Sequence, residues 1–269
     1  MAITSILRLS EIQQPVAENL GGGLLDHVSI QRNQEHLLAR DDNALWRSYR
    51  EIMPLPRAFD PCDDDQGVTY DPFEWAQGTT FAVEIGTECS ILGLDEAEQK
   101  RKMKAQFDAA ENHSVEYALE AVLGVEATDL TPTGTGAPEL TPVQALAALE
   151  DRAARLYPYK PIIHMPRYVL ALLGDRIVWK GDKAFTRSGI PVAAGGGYGG
   201  ADIATWTAPT MYVTGQIFIE STPEYGVDNL VAPNLGTDGT AASLITTYRR
   251  AYRVGFEGPV LSITAKKGI

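Results

Sequence analysis

Gly195, Gly197 and Gly200, in the stretch IPVAAGGGYGG (190–200), have the G-x-G-x-x-G spacing of a loop that cradles a dinucleotide pyrophosphate. Glu220 follows at about the distance at which such folds place a ribose-binding acid. A loop of this kind works only where its glycines open directly into a helix, whose first N–H groups hold the phosphates. Here ADIATWTAPTMYVTGQIFIE comes next, rich in β-branched and aromatic residues and broken by proline, which reads as loop and strand. No Gly-Lys-Ser/Thr is present for a Walker-type loop. The glycines are therefore expected to supply backbone angles that a turn requires.

The other reactive side chains converge no better. His27, His36, His113 and His164 include no pair four apart on a helix and no His-Glu-x-x-His. His113 lies beside Glu111 and Glu116, which predicts a surface ion pair; His164, inside the apolar IIHMP, reads as a satisfied core residue. Asp63-Asp64-Asp65 could be taken for a metal site, but adjacent residues on a strand face opposite sides, so a solvated loop is expected. Cys89 stands next to Glu88 with nothing to lower its pKa, and Cys62 forms no Cys-x-x-Cys with it. Gly-x-Ser-x-Gly is absent, and 35 acidic residues supply carboxylate pairs without specificity. The expectation is no catalytic residue, no cofactor and no metal.

The surrounding elements read as α+β. Residues 1–23 end in Gly21-Gly22-Gly23, a pivot, and have too few apolar residues for a core, so Ile6, Leu7 and Ile12 are expected to be buried on a partner. VTY (68–70) and TTFAVEI (79–85) read as extended. Asp95 as N-cap with Glu98 at the capping-box position opens a helix over 95–123, stopped by Gly124. Its stripe is Met103, Phe107, Ala110, Ser114, Tyr117 and Ala121, with a second of Val115, Leu119 and Val122. At 1.5 Å per residue it is a rod of about 40 Å, long enough to act as a spine. VEATDLTPTGTGAP (125–138) is a connector. A second helix starts at Thr141, with Pro142 first and Gln144 completing the box; Leu146, Leu149, Ala153 and Leu156 are its buried stripe. Then KPIIHM reads as strand, RYVLALLG as a short helix, and RIVWKG, IPVAAG and MYVTGQIFIES as strands; AYRVGF and PVLSITAKK read as a hairpin about Glu257-Gly258.

The chain has 269 residues, is 44% hydrophobic and carries a net charge of −12. That length supports a substantial core, and no apolar run approaches the roughly 20 residues of a membrane span. The N-terminus lacks the basic start and apolar segment of a secretory signal. The acidity disfavours tight, non-specific binding to nucleic acid.

The stretch from TTFAVEIG to EYALEAVLG (79–124) resembles the part of tailed-phage major capsid proteins that runs into their spine helix. It is most similar to the short capsid proteins of phages of actinobacteria. PIIHMPRYVLALL resembles the strand and short helix of their axial domain. GIPVAAGGGYGG, MYVTGQIFIES and RRAYRVGFEGPVLSITAKK are similar, in that order, to the remaining elements of the family, so that the resemblance covers roughly residues 65–267. Encapsulin shells share this fold.

The resemblance implies an N-terminal arm (1–27), an extended hairpin loop with its incoming strands (28–92), a peripheral domain with the spine helix (93–130), a strand-rich axial domain (131–240) and C-terminal strands returning to the peripheral domain (241–269). It implies a non-enzymatic major capsid protein that assembles through pentamers and hexamers into an icosahedral phage head enclosing double-stranded DNA without binding it specifically. An encapsulin-like compartment is the alternative, and a dinucleotide-dependent enzyme a further one. Partners would be copies of itself, a separate scaffolding protein or none, and portal and decoration proteins, but no membrane; assembly would occur in the host cytoplasm, with the virion as destination. Some members weld subunits through a lysine on the extended hairpin. This chain has no lysine before Lys100, so no such cross-link is expected. Candidate interface residues are Ile6, Leu24, Leu25, Leu45 and Trp46, expected half-exposed in a lone subunit, and Gly195, Gly197, Tyr198 and Gly200 in a loop near the subunit junction.

Overall fold

A computed structural model describes residues 21–32, 45–48, 74–77, 79–90, 96–199, 208–223, 229–232 and 243–266. The described chain opens with a one-turn helix, α1 (Leu24–His27), and a short strand, β1 (Ile30–Gln31). Strands β2 (Leu45–Ser48) and β3 (Glu74–Gln77) pair antiparallel, Leu45 opposite Gln77 and Trp46 opposite Ala76, which closes an extended hairpin. The predicted VTY strand (68–70) lies outside the described residues. β4 (Thr79–Ser90) carries TTFAVEI on to Ser90.

The spine, α2 (Glu96–Glu126), has 31 residues, about 46 Å at 1.5 Å per residue. It runs through Gly124, where a sequence reading stops it. A Cβ at Gly124 would meet nothing nearer than the Tyr212 hydroxyl at 3.8 Å, and the ladder continues to Ala127 N–H on Leu123 O at 3.0 Å. The helix ends instead because the chain leaves for β5 (Thr128–Asp129), where Thr128 N–H reaches Val260 O at 2.9 Å. Asp95, the expected cap, lies outside the described residues. The buried face takes Met103 and Phe107 from the first predicted stripe and Val115 and Leu119 from the second, and departs from the prediction elsewhere. Met103, Phe107, Glu111, Val115, Leu119 and Leu123 are buried at steps of four, whereas Tyr117 is 62% exposed and Ala110 and Ala121 are exposed. The face passes through a carboxylate, which a count of apolar residues skips.

Next comes α3 (Pro142–Leu156), capped as expected: Gln144 N–H donates to Thr141 Oγ1 (3.4 Å) and Thr141 N–H to Gln144 Oε1 (2.9 Å). Ala145, Leu146, Leu149 and Ala153 are buried. β6 (Ile162–His164), α4 (Arg167–Leu173), the hairpin of β7 (Ile177–Lys180) and β8 (Lys183–Thr186), and β9 (Pro191–Ala193) come after it, near the predicted places. MYVTGQIFIES is not one strand. It divides into β10 (Thr210–Thr214) and β11 (Ile217–Ser221), followed by β12 (Asn229–Ala232), β13 (Ser243–Phe256) and β14 (Leu261–Thr264).

Two sheets organise these strands. The larger has seven, in the order β5-β14-β10-β6-β9-β8-β7, and packs on α3 and α4 around Leu149, Ile163, Met165, Leu173, Met211 and Ile263. The smaller has five: β13 carries β4 along one edge, β11 and β12 along the other, and β1 joins β11 in parallel. α2 lies against it through Phe107, Val115 and Leu119. Each such side chain removed from water contributes about 1.5–3 kcal/mol.

The predicted β13–β14 hairpin is corrected in the same way as the single strand at 211–221. β10 pairs with β14 in the larger sheet, and β11 with β13 in the smaller. The four strands form one antiparallel ribbon that bends between sheets at Gly215 and Gly258. Gly215 N–H donates to Glu257 O (3.0 Å), and Glu257 N–H to Gln216 O (2.8 Å). Tyr157 fills the bend: its hydroxyl accepts Gln216 N–H at 3.0 Å and donates to Glu257 Oε2 at 3.3 Å. A Cβ at Gly215 would lie 2.2 Å from Glu257 O, so only glycine admits this crossing.

Candidate functional site

The glycine loop does cradle an anion, and the anion is the chain's own. Glu116, on the buried side of α2, is fully buried. Its Oε1 accepts the N–H of Leu24 and of Gly195, both at 2.8 Å, and its Oε2 accepts Gly197 N–H at 3.0 Å. One helical turn on, Glu120 Oε1 accepts Gly199 N–H at 2.8 Å. Consecutive N–H groups of a turn form a concave nest for negative charge. Here two carboxylates four apart on the spine occupy it.

The loop touches the helix so closely that side chains are excluded. A Cβ at Gly197 would stand 2.2 Å from His113 O and 2.5 Å from Glu116 Cβ; one at Gly195 would stand 2.9 Å from both carboxylate oxygens. The dinucleotide reading therefore fails on geometry as well as on context. Glu220 is no ribose ligand either, because Arg253 Nε donates to it at 2.8 Å. Gly200 lies outside the described residues.

The N-terminal segment joins the same hub. Gly21-Gly22-Gly23 is clamped rather than pivoting: Arg167 Nη1 donates to Gly21 O at 2.5 Å, Ala194 N–H to Gly22 O at 2.7 Å, and Gly22 sits under the Trp179 ring. Leu25 N–H donates to Asn112 Oδ1 at 2.8 Å, and Gly23 N–H to Asp26 Oδ2 at 2.8 Å. His27 packs edge-on to Phe185, with ring centroids 5.3 Å apart. From Gly21 onward this stretch belongs to its own subunit.

Charge in the site is balanced in two ways on one helix. Burial pushes the Glu116 carboxyl up to about 7; Gly197, Gly195 and Leu24 N–H oppose the rise, and Asp26 adds to it. Glu111 is also raised by burial, but the Tyr252 hydroxyl, Arg250 and Arg32 pull it below its ordinary value. Arg250 Nη1 and Tyr252 Oη both reach Glu111 Oε1 at 2.5 Å. The surface ion pair predicted for His113 with these two acids is not formed: both carboxylates are buried and His113 is exposed. His164 is a satisfied core residue, its Nδ1 2.8 Å from Tyr198 Oη and its Nε2 3.0 Å from Thr214 Oγ1. Burial lowers its pKa to about 3, so it is neutral near pH 7.

The sequence-predicted interface residues therefore separate. Leu24, Gly195, Gly197 and Tyr198 are buried inside their own subunit, Leu24 completely, against the half-exposure expected of Leu24 and the junction expected of the loop. Leu25 is partly buried. Leu45 and Trp46 lie on β2, in the extended hairpin. Ile6 lies outside the described residues. Sequence reasoning missed Glu116, Glu120 and Glu111; the available signal was their place at helical spacing beside the stripe Val115–Leu119. Among the described residues, no group of His, Cys, Asp and Glu is placed to hold a metal ion, and no helix is long and apolar enough to cross a membrane. The groove of about 400 Å³ between β4 and α2, lined by Phe81, Val83, Glu84, His113, Ser114 and Tyr117 among others, is open to solvent.

No protein-family profile matches the chain, and no curated protein matches it in sequence. Solved structures do match. The chain of an empty GTA particle's capsid is 13% identical, with a TM-score of 0.51 over 94% of this chain and 99% of that one. The capsid chain of Gordonia phage Cozz is 12% identical, with a TM-score of 0.49 over 94% and 88%. The holo-SrpI encapsulin complex of Synechococcus elongatus PCC 7942 is 11% identical, with a TM-score of 0.48 over 90% and 87%. At such identity the likeness defines a fold. The chain has the mixed helix-and-sheet fold of that GTA-particle capsid chain.

Proposed function

We propose that this chain is a major capsid protein that assembles through hexamers and pentamers into an icosahedral phage head around double-stranded DNA. The observation that supports the reading most is the match to the GTA-particle capsid chain, which spans nearly the whole of both chains. The internal architecture agrees with it: a long spine, a bent ribbon joining two sheets, and the β2–β3 pair as a separate two-stranded sheet. The function is mechanical and needs neither catalysis nor cofactor. Residues before Gly21, with Ile6, and the hairpin residues Leu45 and Trp46 are the segments assigned to wrap neighbours, with Leu25 at the edge of the first. Such wrapping covers more area than a flat contact of about 800 Å² per partner, and closed symmetry repeats it in every subunit. The domain limits are those proposed from the sequence, with residues 21–27 transferred from the arm to the subunit body.

Expression of the full chain alone, followed by sizing and electron microscopy, tests this. Closed shells are expected if no scaffolding protein is required, and capsomers that close on adding one are expected otherwise. A compact monomer or small oligomer would overturn the shell reading. Native particles filled with a protein cargo instead of DNA would replace the phage head by a compartment.

A further inference from the structure

Charge is segregated along this chain. Residues 58–99 hold eleven acidic side chains and no lysine or arginine, and six of the eleven lie between Asp60 and Glu74, including Asp63-Asp64-Asp65. Residues 160–187 run the other way, with six basic side chains against Asp175 and Asp182, a net +4 in a chain of −12.

The fold gathers that basic segment at one place. The β7–β8 hairpin forms the outer end of the seven-stranded sheet, where β7 is the terminal strand. Lys180 Nζ and Lys160 Nζ stand 5.2 and 5.8 Å from the centre of the Phe185 ring, and Lys183 lies beside them on β8. All three lysines are exposed, and among the described residues none of them is in an ion pair. Val178 and Trp179 on the same strand are 40% and 46% exposed. The result is a basic surface backed by aromatic and aliphatic side chains.

Subunits with a net charge of −12 repel one another, and at physiological salt attraction must act within a Debye length of about 8 Å. Assembly therefore favours a contact that sets the positive end of one copy against a negative segment of the next. We propose that the β7–β8 hairpin, through Lys160, Lys180 and Lys183, docks the acidic stretch 60–74 of a second copy of this chain. The inference rests on the shell reading and adds to it a site and a chemistry. The aromatic residues in and beside that stretch, Phe59, Tyr70, Phe73 and Trp75, match a surface that offers Val178 and the Phe185 ring, which share a face with Lys180 and Lys183. A patch that meets a different patch on the next copy is a heterologous contact, the kind that closes into rings.

Shells assembled from equal parts of ¹⁵N-labelled and unlabelled chain, treated with a zero-length carbodiimide cross-linker, test this directly. The expected products join Lys160, Lys180 or Lys183 to acids of 60–74 in peptide pairs of mixed label. In a second arm, K180E/K183E is expected to raise the concentration needed for assembly at least tenfold, and D63K/D64K in the same chain to restore it. Pairs of a single label would place the contact within one subunit and overturn the proposal. So would shells whose lysines never link to 60–74, or lysines protected only in nucleic-acid-filled particles, which would make phosphate the partner. If wild type forms shells, alone or with a scaffolding protein, and the links are absent, this inference alone fails; if wild type forms neither shells nor capsomers that close on adding one, the shell reading fails with it.

Discussion

Replacing Glu116 with glutamine isolates the carboxyl that joins the N-terminal segment, the glycine loop and the spine. Two of its three N–H donors, Leu24 and Gly195, share Oε1, and Gly197 uses Oε2. In Glu116→Gln the amide oxygen can retain the first two, while the amide nitrogen confronts the third donor. A buried N–H left without an acceptor costs about 1–3 kcal/mol. The native carboxyl has an opposing cost, because burial raises its ionisation from 4.5 to about 7. Since the folded value lies above the unfolded one, the folded state holds this proton more tightly. The stability this provides is complete below about pH 4.5 and is lost as pH rises through about 7, a change of about 3 kcal/mol. Glutamine does not titrate. The variant should therefore be less stable than wild type by about 1–3 kcal/mol near pH 5, and the gap should close or invert by about pH 8. Urea unfolding of unassembled full-length chain across that range measures the difference, and the titration of other groups cancels. A gap that stays constant, or widens as pH rises, would refute the reasoning: the three N–H donors would then outweigh burial and keep the carboxylate ionised throughout.

Two glycines should respond in opposite directions. Gly197→Ala drives a Cβ into the backbone of the spine and is expected to cost about 3 kcal/mol, read as a lower urea midpoint. Gly124→Ala, in a helix interior with open space around it, should add about 0.5–1 kcal/mol. Glu111→Ala removes the carboxylate that faces the buried Arg250 guanidinium and should cost about 3–5 kcal/mol; an unfolding midpoint within error of wild type would contradict the buried ion pair. Tyr157→Phe removes the hydroxyl that serves Gln216 and Glu257 at the bend of the ribbon, and should cost about 1–2 kcal/mol with faster amide exchange at Gln216.

Local signals carried much of the fold. The Thr141–Gln144 box, the Gly174 stop, the short strands at 162–164, 177–180 and 191–193, and the spine were legible because each is set by neighbouring residues. Three features were not, and each depends on a partner far along the chain. Gly215 reads as an interior strand glycine until Glu257 and Tyr157 are placed against it. The glycines at 195–199 match a phosphate loop because the spacing that admits a phosphate also admits a glutamate side chain. Leu24 reads as exposed arm because its covering surface, the middle of α2, lies about ninety positions away. The polarity of Glu111 and Glu116 concealed the true buried face, since periodicity analysis scores carboxylates as solvent-facing.

The two buried carboxylates have complementary effects on how the subunit holds together. Glu111 ties the spine to β13 through charged and hydroxyl groups, a contact that strengthens when the acid is ionised. Glu116 ties the same helix to the glycine loop and to Leu24 through neutral backbone groups, and among the described residues no cation is paired with it. The stability that Glu111 contributes is lost as pH falls through its lowered carboxyl value, and that of Glu116 as pH rises through about 7, because the cost of burying its charge outweighs the three N–H bonds. The spine is therefore fastened to the smaller sheet and to the loop beside the larger one by two carboxyls whose contributions to stability respond oppositely to pH. The bent ribbon at Gly215 and Gly258 supplies a covalent path between the two sheets.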